Sequence, residues 1–331
     1  MHGLGNDFVV FNAADLYEFG GKRLIQDWAT AAPRWAQAIC RRNFGVGADG
    51  IIALFDLEAQ PQLLPQVVAQ YPDLSLCSFA WTYFNSDGSW SSMCGNGLRC
   101  AALYLKDRGL VMGKEFLIAT DAGPMKARVH SSDAIEIDFG EPVLKPSKIP
   151  ISSKASRCIR EKITIDCFEP PYELCFTAVG LGNPHCVIFD AVQSNKGKVL
   201  TGKDKRELSK LAKYLQTHPM FPEGVNVEFA SITRMNAVTT HIYERGCEWT
   251  LACASGAAAT VVAGVLEDKL ARDVDVTLPG GELHVSWSKL DNHLRMLGPA
   301  CEIFSGYLNV SALDNGALVL GKVPETREVS R

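Results

Sequence analysis

Phe84-Asn85-Ser86-Asp87-Gly88-Ser89-Trp90-Ser91-Ser92-Met93-Cys94-Gly95-Asn96-Gly97 has a near-copy later in the chain. It reads Tyr243-Glu244-Arg245-Gly246-Cys247-Glu248-Trp249-Thr250-Leu251-Ala252-Cys253-Ala254-Ser255-Gly256. Each copy places an aromatic residue and then Asn85 or Glu244 nine residues ahead of its last cysteine, a Trp four residues ahead of it, and a small-polar-Gly run behind it. A duplicated frame that presents two thiols predicts a site built between two related halves, with one sulfur on each side.

The repeat extends outward. Gly3-Leu4-Gly5-Asn6 followed by Val9-Val10-Phe11 resembles Gly180-Leu181-Gly182-Asn183 followed by Val187-Ile188-Phe189. The interval from Asn6 to Cys94 is 88 residues and that from Asn183 to Cys253 is 70, so the first half carries an extra segment. Residues Glu58 to Ser75, rich in proline and glutamine, read as a surface insertion. Short runs of branched and aromatic residues predict strands at 51–55, 115–119, 135–139, 163–165, 175–179, 241–243, 274–278 and 283–287. Apolar residues at helical spacing predict helices over 24–41, where Pro33 should kink or split the run, over 204–215, and directly after each cysteine, over 97–106 and 256–266. The last two read as all but uncharged until their ends. Each is expected to be a central helix buried in a β-rich wrapping. The expected division is 1–140 plus 297–310 for the half carrying Cys94, 141–296 for the half carrying Cys253, and a tail over 311–331 with no assigned role.

Composition narrows the functional classes. The chain has 331 residues, 47% hydrophobic and 21% charged, which suits a globular protein of two domains. A net charge of −4 without a basic stripe gives nucleic-acid binding no electrostatic support. Eleven cysteines, most of them in apolar runs, fit a reducing cytoplasm better than a disulfide scaffold. Cys-x-x-Cys spacing is absent, so no metal is expected. No charged-then-apolar leader opens the chain and no run approaches ~18 apolar residues, so no membrane span is expected. Gly3-Leu4-Gly5 lacks the third glycine and the preceding strand of a dinucleotide fingerprint, and no cofactor is expected.

A cysteine at the start of a buried helix meets the positive end of the helix dipole, which lowers a thiol pKa. The first-turn N–H groups, at Gly95 and Asn96 in one half and at Ala254 and Ser255 in the other, form an anion cradle. One ligand carboxylate held by both helix ends would set its attached carbon between Cys94 and Cys253. Two thiols, one ionised and one protonated, can then invert that carbon by exchanging roles, since a reference pKa of ~8.5 leaves both states within reach of neutrality. Bland roles are assigned elsewhere. Cys40, Cys77, Cys158, Cys167, Cys175 and Cys186 read as small buried hydrophobes, and Cys100 and Cys301 as packing residues. Cys247 reads as structural and Trp90 and Trp249 as packing. His185, beside the matched Gly-Leu-Gly-Asn segment, reads as a site residue.

Together these stretches resemble the diaminopimelate epimerase family. The resemblance is carried by His2-Gly3-Leu4-Gly5-Asn6-Asp7-Phe8, Met93 to Cys100, Gly182-Asn183-Pro184-His185, Tyr243-Glu244-Arg245-Gly246 and Leu278-Pro279-Gly280-Gly281, and covers roughly residues 1 to 308. It implies an α/β fold of two pseudo-symmetric domains, each a β-barrel-like sheet around a central helix, and a homodimer. It implies a cofactor-independent epimerase that interconverts LL- and meso-2,6-diaminoheptanedioate in lysine and peptidoglycan biosynthesis. By motif match it makes Cys94 and Cys253 the acid/base pair and makes His185 and Glu244 the groups that tune them. The same match assigns Asn6, Asn85, Asn183, Asn226 and Arg245 to the distant amino-carboxylate end of the substrate. Three positions depart from the pattern. Glu248 stands where a glycine is usual, which predicts strain if the backbone φ is positive. Ala254 replaces a glycine and should crowd the cradle. Gly50 replaces a glutamine that reaches the ligand in some members. Three other functions fit less well: an amino-acid racemase on the same scaffold, a thiol redox protein, and a silent binding protein. Asn85, Asn183, Asn226 and Arg245 favour a two-centred substrate, and an epimerase should need reductant where a redox protein should lose activity under it.

Overall fold

The computed structural model describes residues 1–18, 27–59, 64–189 and 204–308. The 311–331 tail and the first residues of the 24–41 helix lie outside them. The strand-rich reading holds, and the duplication extends to the pairing pattern of the sheet. In the first half β1 (His2–Gly3) pairs antiparallel with β2 (Asn6–Asn12), and β2 pairs parallel with β3 (Gly50–Asp56). β3 is antiparallel to β4 (Phe79–Asn85), which is parallel to β5 (Glu115–Thr120). β6 (Gly123–Ser131) and β7 (Ala134–Asp138) follow as antiparallel neighbours.

The second half opens with the antiparallel strands β8 (Glu161–Ile165) and β9 (Tyr172–Gly180) and then repeats the scheme. β9 is antiparallel to β10 (Pro184–Ile188), β10 parallel to β11 (Asn226–Arg234), and β11 antiparallel to β12 (Ala237–Glu244). β12 is parallel to β14 (Asp273–Leu278), with antiparallel β15 (Gly281–Trp287) and β16 (Leu294–Gly298) beyond it. Even the short bridges correspond. Phe84 pairs with Trp90 in one half, and Tyr243 with Trp249 of β13 (Glu248–Trp249) in the other. The two Trp side chains pack edge-on against those partners. The halves join where β7 pairs antiparallel with β16, Ile137 opposite Met296, so one sheet runs through the whole molecule.

Among the described residues, the four longest helices pack on the two faces of that sheet. The inner pair, Gly95–Asp107 and Ala254–Leu266, are the ones that follow the cysteines. Leu98, Ala101, Ala102 and Leu105 pack inside the first half against Phe8, Ile52, Trp81, Ile118 and Ile137. Ala258, Val261 and Val262 pack inside the second against Val179, Val187, Ile242, Val276 and Val285. The outer pair are Trp28–Cys40 and Lys205–Gln216. Strand alternation explains how one strand serves both layers. Ile52 and Leu54 face the inner helix, while Ile51, Ala53 and Phe55 face Trp28 and Trp35 of the outer one. β3 and β4 are therefore buried on both sides and read as continuous apolar runs. Each fully buried Leu, Ile or Phe contributes about 1.5–3 kcal/mol. Among the described residues no helix is long and apolar enough to cross a membrane.

Several expectations need correction. Pro33 lies within a single helix, Trp28–Cys40, and does not split it. The 58–75 segment is not wholly at the surface. Val68 and Tyr71 are buried in the outer core of the first half, and the Tyr71 hydroxyl donates to the Trp81 carbonyl at 3.1 Å. The first inner helix is not uncharged along its length, because Arg99 sits on it fully buried. Cys301 is exposed rather than packed, Cys247, read as structural, is exposed as well, and Cys167 and Cys175 are only half-buried.

Candidate active site

Each of the two cysteines is the N-cap of an inner helix, in extended backbone: Cys94 at φ −149°, ψ 110° and Cys253 at φ −124°, ψ 114°. Sulfur is a weak acceptor, and oxygen-bearing residues cap helices better by about 1 kcal/mol, so stability alone does not account for a thiol at both caps. The Cys94 sulfur accepts from the Gly97 N–H at 3.5 Å, and Cys253 Sγ lies 3.5 Å from the Ser255 hydroxyl. The two helix ends meet. A methyl on Gly95 would lie 2.6 Å from the Ala254 methyl, so the N-termini abut at their first residues. Asn96 crosses that seam, donating from Nδ2 to the Ala252 carbonyl at 2.9 Å and to Asn6 Oδ1 at 3.1 Å. Gly95, Asn96, Ala254 and Ser255, the four residues of the expected cradle, are thus in one place.

The thiols are less acidic than a helix N-terminus alone would make them. Burial pushes the Cys94 thiol up to about 11; Glu244 adds to this, while the Gly97 N–H and Arg99 pull it down. Burial, then Glu244, pushes the Cys253 thiol up well beyond its ordinary range. Desolvation outweighs the helix dipole at both, which corrects the expectation that both states lie near neutrality. Glu244 is itself pushed up by burial. Thr250 donates to its carboxylate, and so does the Cys253 thiol.

His185 is fully buried on β10. Its Nδ1 lies 2.6 Å from Glu228 Oε1 and its Nε2 lies 2.7 Å from Asn183 Oδ1. Asn183 and His185 are therefore one chain, anchored by a carboxylate that sequence reasoning missed. Glu228 is fully buried, burial raises its pKa, and its Oε2 has no partner. A signal was available: in Val225-Asn226-Val227-Glu228-Phe229 strand alternation puts Glu228 on the face of Asn226, and Asn226 stands beside His185 in the sheet register.

The remaining residues cluster less tightly. Asn226 Oδ1 accepts from the Arg245 backbone N–H at 2.9 Å, and the Arg245 guanidinium donates to the Glu223 carbonyl. Asn85 is held in its own turn, accepting from the Tyr83 hydroxyl at 2.6 Å and donating to Ser89 Oγ at 2.9 Å. It adjoins the centre through Tyr83, whose phenol is pushed up by burial and then by the charges of Cys94, Cys247, Asp49 and Glu244. Asp49 was also missed; its Oδ2 accepts from Asn6 Nδ2 at 2.8 Å. Glu248 does take a positive φ of 62° and ion-pairs with Lys213 at 2.8 Å. The Ala254 methyl packs on Gly95 at the seam. A side chain at position 50 would meet the Tyr83 ring at 2.5 Å, so that aromatic fills the space a longer residue would take.

The diaminopimelate epimerase model matches residues 1–145 and 177–302. The chain belongs to the diaminopimelate epimerase family. The diaminopimelate epimerase of Desulfitobacterium hafniense is 35% identical over 95% of this chain and 98% of its own. That of Desulforudis audaxviator is 37% identical over 92% and 96%. Among solved structures, a hydroxyproline epimerase from Agrobacterium vitis matches with a TM-score of 0.56 at 14% identity, covering 83% of this chain and 80% of that one. A PhzF-family phenazine biosynthesis protein of Bacillus anthracis matches with a TM-score of 0.54 at 11% identity, over 90% and 92%. These two likenesses establish the shared mixed α/β fold.

Proposed function

We propose that this chain is a diaminopimelate epimerase that inverts one α-carbon by proton transfer between Cys94 and Cys253. One observation carries the reading. Two cysteines cap two inner helices whose N-termini abut at Gly95 and Ala254. A carboxylate laid across that junction meets N–H groups and positive dipole ends from both helices. The carbon attached to it is then flanked by one sulfur on each face. The thiolate takes the α-proton, and the electron pair left on carbon delocalises into the carboxylate under the helix ends. The opposite thiol delivers its own proton to the other face. The enzyme is left with the two sulfurs exchanged in role, ready for the reverse reaction, with no redox change.

Glu244 receives the Cys253 proton when that thiol must ionise, and the His185–Glu228 pair fixes the charge beneath the same helix. Asn6, Asn85, Asn183, Asn226 and Arg245 serve the distal amino-carboxylate end, where a carboxylate needs a cation and an ammonium needs oxygen acceptors. The halves 1–140 with 297–310 and 141–296, a homodimer and a cytoplasmic location belong to the same proposal. Eleven free thiols favour the last.

Incubation with LL-diaminopimelate in deuterium oxide under reductant tests the reading. α-Deuterium and a mixture of LL and meso isomers are expected without added cofactor, and Cys94→Ala or Cys253→Ala should each abolish both. Full inversion by either variant would defeat the mechanism, and an unlabelled substrate would defeat the assignment.

A further inference from the structure

The duplicated frame makes a comparison possible that a single fold would not. His185 corresponds to Phe8 in the repeat, since each stands two residues beyond the matched Asn183 or Asn6. Their partners across the parallel strands correspond too, Asn226 opposite His185 and Gly50 opposite Phe8, which makes Ile52 the counterpart of Glu228. Glu244 corresponds to Asn85, nine residues ahead of each cysteine, and Arg99 to Ala258, five residues beyond. The differences change the charge on the two sides. The Cys253 half gains buried Glu228, half-buried Glu244 and His185 where the Cys94 half has Ile52, Asn85 and Phe8, and the Cys94 half gains the buried guanidinium of Arg99 where the other has a methyl, and Asp49 where the other has Val225.

Arg99 is unusual in its own right. It is fully buried, and among the described residues it forms no ion pair with a carboxylate. Among the described residues its guanidinium donates to neutral acceptors: Nε to the Pro299 carbonyl at 3.0 Å, Nη1 to Met296 Sδ at 3.6 Å and Nη2 to Asn96 Oδ1 at 2.9 Å. A side chain on Gly3 would come within 2.9 Å of Nη2, so the backbone of β1 seals it in. An unpaired buried cation is expensive, and its retention calls for an anion that it meets at some stage. Burial pulls it down to about 10, and the groups that oppose this are the thiols of Cys94 and Cys100.

Arg99 also begins a chain of fixed polarity. A guanidinium can only donate, so Asn96 must turn Oδ1 toward it and Nδ2 toward Ala252 and Asn6. A carboxylate can only accept, so Asn6 must turn Nδ2 toward Asp49 and Oδ1 back toward Asn96 and Cys94, whose sulfur lies 3.8 Å away. Each amide is locked by a charge at one end.

We propose that Arg99 is a positioning residue of the proton transfer: its guanidinium sustains the ionised form of Cys94 and, through Asn96, locks the contact between the two helix ends. The proposal rests on the two-thiol reading for its purpose, yet the alkylation that decides it needs no substrate. Among the described residues the other titratable groups shown to act on Cys94 or to feel its charge are Glu244 from β12, Tyr83 from β4 and Cys100 from its own helix. These are neutral or anionic, so among them Arg99 is the cation that can act.

Brief iodoacetamide pulses across pH 7 to 12, read by mass spectrometry of the Cys94 and Cys253 peptides, test this in the unmodified protein. Cys94 is expected to alkylate with the lower pH midpoint, and the opposite order would overturn the proposal whatever happens to any variant. Arg99→Met should slow Cys94 alkylation at pH 8 by about tenfold, one unit of thiol pKa, and leave Cys253 within about twofold. Arg99→Lys should restore most of the Cys94 rate. In steady-state assays Arg99→Met should shift the pH–kcat/KM profile alkaline with KM little changed. A folded Arg99→Met protein with an unmoved Cys94 rate would reduce Arg99 to packing. Loss of deuterium exchange with alkylation as expected would count against the substrate reading alone.

Discussion

The junction of the two inner helices can be probed with one methyl group. In Gly95→Ala the new carbon would lie 2.6 Å from the Ala254 methyl, 2.6 Å from Cζ of Phe139 and 3.3 Å from Cε of Met296. Carbon atoms rest at about 3.5–4.0 Å, so the ends must part by roughly 1 Å. Overpacking of this kind costs about 1–3 kcal/mol. A value of ~2 kcal/mol, spread over an unfolding entropy of ~2.1 cal/mol/K per residue in a chain of 331, lowers the melting temperature by about 3 °C. The kinetic effect should be larger, because a displacement near 1 Å between groups that must act together costs about a hundredfold in rate. The expected signature is a small loss in melting temperature beside a hundredfold loss in kcat. Gly95→Ala with Ala254→Gly removes one of the two close contacts and leaves Phe139, so the double variant should regain roughly half of the lost stability. Circular dichroism melts and deuterium exchange on the three variants decide the matter. A Gly95→Ala protein that melts and turns over like the unmodified chain would refute the claim that the cradle is assembled by contact of these two residues.

Other consequences follow from the buried groups. Cys94 is pushed up to about 11 and Cys40 and Cys100 to about 12, with Cys186 and Cys253 raised well above their ordinary range. An unfolded thiol ionises near ~8.5, so above that pH the folded chain holds protons that the unfolded chain releases. Stability should be at its full value below about pH 8.5 and decline as pH rises through the folded-state values. Urea midpoints at pH 7, 9 and 10 should fall in that order, and a level series would contradict the burial argument. Glu228→Ala leaves His185 buried without its carboxylate and should destabilise by about 3 kcal/mol, whereas Glu228→Gln, which keeps the shape, should fold better than Glu228→Ala; equal denaturation midpoints for the two would show that the pair is not what holds His185. Glu248→Gly relieves a left-handed backbone at the loss of an exposed ion pair to Lys213, so its melting temperature should rise; a fall would mean that the ion pair outweighs the strain.

How far the sequence could be read depended on whether a feature repeats. The two cysteine frames, the Gly-Leu-Gly-Asn segments and the apolar helices behind each cysteine recur at related spacings, and recurrence converts a weak local pattern into an architectural one. The helix caps at Cys94 and Cys253 and the paired Trp90 and Trp249 were legible for this reason. Groups that differ between the halves were legible only where a recognisable motif carried them, as at His185 and Glu244. Arg99 sits between Leu98 and Cys100 with nothing local to mark it as buried, because its acceptors, Pro299 and Met296, come from the far end of the chain. Glu228 lies in a strand, and its partner is fixed by the parallel register of β10 with β11. Val68 and Tyr71 fall in a segment whose prolines and glutamines signal a loop, yet they close the outer core under Trp81.

That contrast carries the functional argument one step further. A duplicated scaffold supplies two equivalent thiols, and two equivalent, interacting thiols lose their protons as a pair, with neither singled out. The chemistry needs one sulfur ionised while the other keeps its proton. Near-identical backbones cannot provide this, so the distinction has to come from side chains that break the repeat. Arg99 against Ala258 and Glu228 against Ile52 are such breaks, and both favour an anion at Cys94 over one at Cys253, whereas Glu244 disfavours an anion at either. Moving the cation should therefore move the proton. An Arg99→Met, Ala258→Arg exchange that folds should reverse which cysteine alkylates first, and an unchanged order would place the origin of the asymmetry elsewhere.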